Sequence, residues 1–150
     1  MSKTHYRNLF LMIVLSFVSM YVLMYAMVNT FANVYPNFNQ FYMAGLMTAP
    51  MVILEIVFMG AMYENKKMNR AILGASVIAL LGFWMLIRQQ TAISDQQFLK
   101  SMIPHHAGAV LMCEKAPLQD TQIRQLCRAI TSGQQAEIDQ MKTKLRELEK

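Results

Sequence analysis

The sequence has few of the side chains from which most enzyme sites are built. Its 150 residues include two cysteines, three histidines and nine acidic residues. A di-iron oxidase bundle needs several inward glutamates and Glu-x-x-His pairs, and the sequence contains no such pair. No Ser or Cys nucleophile with a base and an orienting group can be assembled either. We therefore expect that the protein is not an enzyme.

Two cysteines are also too few for a disulfide scaffold. Cys113 and Cys127 allow one bridge, two thiolate ligands, or neither. In an antiparallel pair of helices their offset would make a bridge strained. Spacing alone leaves these alternatives open.

Charge is scarce in the first part of the chain and unevenly distributed. Through Arg88 there are six Lys and Arg residues against two acidic ones, and the remainder carries eight basic and seven acidic residues. The basic pI therefore reflects the flanks of membrane segments. Because the sequence contains no basic stripe interleaved with aromatic residues, we expect no nucleic-acid partner.

Long uncharged runs predict three transmembrane helices, at about residues 9–30, 41–63 and 71–88. The first run is long enough to cross a hydrocarbon core of roughly 30 Å. It is too long for a signal peptide, and no small-x-small cleavage site follows it. These spans form a predicted membrane domain of residues 1–90, with the lipid bilayer as its partner.

Basic residues predict the orientation of these spans. Lys3 and Arg7 precede the first span, and Lys66, Lys67 and Arg70 lie between the second and third. The loop at residues 31–40 carries no charge, and its aromatic side chains suit the headgroup level. The positive-inside rule therefore puts the amino terminus in the cytoplasm and residues 94–150 outside. In a bacterium this means the inner membrane and the periplasm.

One ionisable residue, Glu55, is predicted near the middle of the second span. Burying its charge there costs ~3 kcal/mol, which makes it a candidate functional group. The alternative is a protonated carboxyl group bonded to Ser16 or Ser19. Met47 and Met51 share its helix face. They indicate either a thioether-lined path for a soft ion or ordinary packing, which we favour.

The remaining residues, 94–150, predict an all-α extracytoplasmic domain. Ser94 and Gln97 form a capping box for one helix, and Asp120 is a good N-cap for a second. Pro104 lies inside the first helix and frees the carbonyl of Lys100. The short connection predicts an antiparallel hairpin. Two helices of this size cannot bury a full core alone, so we expect a homo-oligomer that completes a four-helix bundle.

Potential metal ligands are concentrated in residues 98–113 of this hairpin. Met102, His105, His106 and Met112 are the candidates, and a set of Met and His suits copper, above all Cu(I). Adjacent helical residues point about 100° apart, so the two histidines diverge. In the alternative, both are packing residues bonded to Glu137 or Gln134. Further candidates for ligands or supporting residues are Cys113, Cys127, Gln134, Glu137 and Met141.

The same stretch carries a family resemblance. The pattern FLxxMIPHH, followed by AVxMC, LCxxI and QxxEIxxM, resembles the domain of unknown function 305 family over about residues 95–145. The resemblance implies a ferritin-like helical bundle in secreted or membrane-anchored bacterial proteins, some of them linked to copper binding and tolerance. It implies that Met102, His105, His106, Met112, Gln134, Glu137 and Met141 occupy the characteristic positions of the family.

These features predict a membrane-anchored periplasmic protein that binds copper for metal tolerance or trafficking. Other periplasmic metal-handling proteins are its expected partners. The alternative is a non-catalytic interaction or oligomerisation module, membrane-anchored as well, whose histidines are structural.

Overall fold

The computed structural model describes residues 2–150, with only the backbone for Ser2 and Lys3. It consists of five α-helices, and the described residues include no strand. The helices are α1 (Ser2–Leu23), α2 (Phe38–Met59), α3 (Lys66–Gln89), α4 (Asp95–Lys115) and α5 (Thr121–Leu148). Short 3-10 turns follow α1 at Met24–Met27 and Phe31–Asn33. The all-α class is confirmed.

Three helices are long and apolar enough to cross a membrane: Thr4–Met27, Phe38–Met59 and Lys66–Gln89. The predicted boundaries differ from these by three to five residues, except at the end of the third span, where residue 88 was predicted and the helix ends at Gln89. The first helix begins before its apolar run, and the second ends at Met59 rather than at residue 63. The third begins at Lys66, because the Asn65 side chain accepts hydrogen bonds from the backbone of Lys67 and Met68. Hydropathy marks only the apolar part of a helix, whereas capping sets its ends.

The chain divides into two compact units, and the first comprises the stretch through Met24 together with Asn39–Thr91. One of its cores contains Leu9, Ile56 and Tyr63. The Tyr6 hydroxyl donates to the side-chain oxygen of Asn69 at 2.7 Å, and the Asn69 amide donates to the Tyr63 carbonyl at 3.0 Å. This network ties α1 to the connection between α2 and α3.

The second unit comprises Tyr25–Phe38 and Ala92–Lys150. Helices α4 and α5 form the predicted antiparallel hairpin, with a core of Ile103, Ala107, Val110, Ile138 and Leu145. The Ser94 hydroxyl accepts from the Gln97 backbone, and the Asp120 carboxylate accepts from that of Ile123. Both predicted N-caps are confirmed. The reciprocal half of the capping box is wrong, because the Gln97 side chain accepts from the Phe38 backbone instead.

The segment Tyr25–Phe38 belongs to the hairpin unit, whereas the sequence placed it in the membrane domain. Asn37 is the main reason. Its side-chain amide donates to the Lys100 carbonyl at 3.3 Å, and this is the carbonyl that Pro104 leaves without an intrahelical partner. The Ser101 hydroxyl bonds to the other end of the Asn37 side chain at 3.2 Å. A buried carbonyl without a donor is costly, so this loop compensates for a defect in α4.

A disulfide joins Cys113 near the end of α4 to Cys127 in the first part of α5. The Cα atoms lie 5.2 Å apart, within the usual range for a bridge. The alternatives of two thiolate ligands or two free thiols therefore do not hold in this state, and the predicted strain is not evident from this separation. The bridge closes the hairpin at its connection.

Removing the bridge should loosen the hairpin. The closed loop spans 14 residues of sequence, and chain-entropy arguments give about 3 kcal/mol for a loop of about 15 residues. We expect Cys113→Ser with Cys127→Ser to lower protection of α4 and α5 amides in hydrogen exchange by that amount. The detergent-solubilised full chain is the sample. Reductant should loosen the native chain equally and leave the double variant unchanged. Protection that resists both treatments would contradict a stabilising bridge.

Candidate functional site

The residues predicted as metal ligands lie on α4, but the helix divides them between two directions. His106 and Ile103 face the hairpin core, whereas His105 and Met112 are exposed. Met102 is half-buried between these two faces. The predicted divergence of the adjacent histidines is confirmed, and their ring centroids lie 6.0 Å apart.

His106 is held by two acceptors. Its Nδ1 lies 2.9 Å from the Met102 carbonyl oxygen, and its Nε2 lies 2.7 Å from Oε2 of Glu137 on α5. The carbonyl can only accept, so Nδ1 carries a proton. Whichever group holds the proton between Nε2 and Oε2, neither ring nitrogen has a lone pair open to a metal ion. The His106–Glu137 pair therefore links the two helices, as the alternative interpretation of the sequence proposed.

His105 has the opposite environment. Its ring is exposed on a face of α4 that also carries Phe98 and Met112, with 51% and 53% of their surfaces accessible. Met102, one turn before His105, lies at the border of this face. His105 is thus the histidine with room for a ligand, and Met102 is the thioether placed closest to it along the helix.

The candidates on α5 and the two cysteines contribute in other ways. Met141 packs against the hydrophobic core of the hairpin, and Gln134 is half-buried. Cys113 and Cys127 are bonded to each other and offer no thiolate. Within residues 2–150, no three His, Cys, Asp or Glu side chains gather into a metal-binding group. The described chain therefore presents two neighbouring candidate ligands and no closed cage.

The sequence predicted Glu55 near the middle of its span, and this prediction is wrong. Because α2 ends at Met59, Glu55 is about one turn from the end of the helix. Tyr63, in the connection after α2, donates a hydrogen bond to its Oε1 at 2.8 Å, so the predicted partners Ser16 and Ser19 are wrong. Burial and this hydrogen bond raise the pKa of the Tyr63 hydroxyl to about 12. Glu55 thus has a local structural partner.

Met47, Met51 and Glu55 line one open cavity on α2. Met47 is exposed and Met51 half-buried, whereas the buried face of α2 consists of Ala44, Gly45, Thr48, Ala49 and Val52 among others. On α1, the Met20 sulfur accepts a hydrogen bond from the Thr48 hydroxyl at 3.5 Å. These positions favour the packing interpretation.

The contact that sequence reasoning missed is Asn37 with Lys100. A proline inside a helix signals a carbonyl in need of a donor. The asparagine-rich segment at residues 29–39 signals a turn with spare amide groups. Both signals are visible in the sequence, but local patterns contain no information that pairs them across 63 positions.

Comparison with known proteins supports the family resemblance. A family model described as "Domain of unknown function (DUF305)" matches residues 83–149. The chain is 33% identical over 113 residues to "Uncharacterized protein L153" of Acanthamoeba polyphaga mimivirus, a match that covers 74% of this chain and 72% of that protein. No solved structure matches the chain significantly.

The two histidines should differ sharply in their effect on stability. His106→Ala removes a buried ring together with its hydrogen bonds to the Met102 carbonyl and the Glu137 carboxylate. We expect it to lower hydrogen-exchange protection in α4 and α5 by about 2–3 kcal/mol. His105→Ala, the matched control, should change it by less than about 0.5 kcal/mol. Equal losses in the two variants would contradict these assigned environments.

Proposed function

The chain belongs to the DUF305 family, whose description names no activity, and we propose that it is a membrane-anchored protein that binds copper or a similar soft ion. In this proposal the hairpin lies outside the cytoplasm, in the periplasm of a bacterial inner membrane. The observation that carries the proposal is the open imidazole of His105 one turn from the thioether of Met102. Imidazole and thioether together suit Cu(I) better than zinc or iron.

The membrane assignment gains support from the connection between the hairpin and the Tyr25–Phe38 loop. Asn37 and Lys100 are hydrogen-bonded, so these two positions must lie on the same side of a membrane. An even number of crossings must then separate them, and α2 and α3 supply two. The basic residues Lys66, Lys67 and Arg70 fall on the other side, where the positive-inside rule expects the cytoplasm.

Copper tolerance or trafficking is the role that such a site suits. An exposed pair of soft ligands on a tethered domain can take up an ion and release it to another protein. Other metal-handling proteins of the same compartment are the proposed partners. The proposed function is binding without catalysis.

A second candidate function is a membrane-anchored interaction or oligomerisation module. The specific observation in its favour is His106, whose ring bonds are fully used within the hairpin. If His105 were simply an exposed polar residue, the paired histidines would serve packing alone. Direct metal binding separates the two candidates.

Copper binding is tested by titrating Cu(I) into the full chain in mild detergent, in competition with a colorimetric chelator. Ascorbate as the reductant leaves the disulfide intact. We expect Met102→Leu with His105→Ala to weaken binding at least tenfold, because both proposed ligands are lost. Met68→Leu replaces an exposed methionine in the first turn of α3, and this control should bind like the native chain. An unchanged affinity in the double variant would favour the interaction module.

The orientation is tested by labelling single cysteines in a background of Cys113→Ser with Cys127→Ser. In intact cells, a membrane-impermeant maleimide should label Ser132→Cys in α5 and spare Met68→Cys. Both positions are exposed, so access to reagent is limited only by the membrane. After cell lysis both should react. Labelling of Met68→Cys alone in intact cells would reverse the proposed topology.

A further inference from the structure

We propose that the exposed face of α4 docks on the same face of a second copy, and that Met102 and His105 of both chains complete one shared metal site. The metal part of this inference rests on the proposed function. The docking face itself is defined by the exposed or half-exposed residues of α4 that share one side of the helix. These are Phe98, Met102, His105, Ala109 and Met112.

A single chain does not supply enough ligands for an enclosed ion. His106 is committed to Glu137, the cysteines are bridged, and Met141 packs in the core. Met112 lies two turns beyond His105, about 10 Å along the helix, which is too far to share an ion with it. Among the described residues of α4, only Met102 and His105 remain as neighbouring candidate ligands. Two ligands leave half of a four-coordinate site to be supplied from elsewhere.

The hairpin exposes large apolar side chains, both on the docking face of α4 and on α5. Phe98 and Met112 are about half accessible, and Ile123 and Leu126 of α5 are 49% and 58% accessible. On α4 the docking face includes no Asp, Glu, Lys or Arg. Several large apolar side chains exposed on one small domain indicate an interaction site.

The size of the face suits a second hairpin. Helix α4 has 21 residues and is therefore about 30 Å long. Two adjacent helices are about 20 Å wide, so the hairpin presents roughly 600 Å² in projection. Accessible area exceeds projected area, which brings one whole side of the hairpin, α4 and α5 together, close to the roughly 800 Å² per partner of a stable interface. A second hairpin would also complete four helices, the smallest common helical bundle.

The arrangement of side chains on α4 points to a copy of this chain rather than to another protein. His105 is the central residue of Asp95–Lys115. Phe98 and Met112 lie seven positions before and after it. When two such helices cross antiparallel about a twofold axis, His105 meets its copy and each Phe98 meets Met112 of the other chain. Methionine sulfur against an aromatic ring is a favourable contact. A twofold homodimer uses the same patch on both chains and so favours such a symmetric arrangement, whereas binding to an unrelated protein does not.

The pairing brings together two imidazoles and two thioethers. Each Met102 lies one turn from its own His105, so all four groups fall within about one helical turn of the axis. Two nitrogen and two sulfur ligands are a set that holds Cu(I) well. His106 has a positioning role in this site: its bond to Glu137, together with the buried core of α4, holds the helix in the rotation that directs His105 outward.

The test measures mass and stoichiometry on the same sample, the full chain in mild detergent with Cu(I) and ascorbate. We expect a dimer by light scattering and one tightly bound ion per two chains. Phe98→Glu with Met112→Glu should yield a monomer and weaken copper binding at least tenfold, although Met102 and His105 are intact. Ser132→Glu, which adds charge to an exposed position on another side of α5, should behave like the native chain.

Cross-linking tests the register. In a background without native cysteines, a mixture of Phe98→Cys and Met112→Cys chains should form a mixed disulfide dimer. Self-linked dimers of Phe98→Cys alone would indicate parallel helices and overturn the antiparallel pairing.

The outcomes separate the inference from the proposed function. A monomer that binds one ion per chain overturns the shared site and leaves copper binding in place. A dimer that binds no copper overturns both the shared site and the proposed function. Dimerisation that survives both glutamate substitutions would show that a different surface joins the chains.

Discussion

The packing of α4 on α5, through Ile103 and Val110 and the bond between His106 and Glu137, sets the rotation of α4, and the chemistry of the hairpin depends on that rotation. One residue separates the inward histidine from the outward one, and consecutive helical residues differ by about 100° in direction. The Nε2 atom of His106 lies 2.7 Å from the Glu137 carboxylate on α5, so the preceding side chain along the helix, His105, faces away from the core. The rotation that lets the His106 ring stabilise the hairpin therefore leaves the His105 ring exposed.

A hairpin of two helices has little core, and three features compensate for this. The disulfide closes it at the connection, the His106–Glu137 pair joins it midway, and Asn37 satisfies the carbonyl freed by Pro104. The last of these comes from the segment between the first two spans. The compact unit that contains the hairpin therefore also includes the segment Tyr25–Phe38.

In the proposed dimer, the docking face of α4 serves both copper binding and self-association. The face around His105 is apolar, uncharged and symmetric about its central residue, and a single copy leaves its ligand set half complete. Membrane anchorage favours such an encounter, because tethered chains diffuse in two dimensions and share one orientation. An ion that binds between two copies would also stabilise their association, since it binds only the paired state.

Much of the fold follows from local properties of the sequence. Uncharged runs predict three spans, the residues Ser94 and Asp120 cap the hairpin helices, and the 3.6-residue period separates His105 from His106. Each of these depends on residues within a few positions of one another. Sequence reasoning did not find the partners of Asn37, Gln97 and Glu55, and it left the state of the cysteines open. Those outcomes depend on which groups meet across tens of residues, and hydrophobic periodicity carries no such pairing information. The sequence thus identified the candidate metal ligands, whereas the packing of α4 against α5 decided which histidine is exposed, because the core side chains of α4 fix the rotation of the helix.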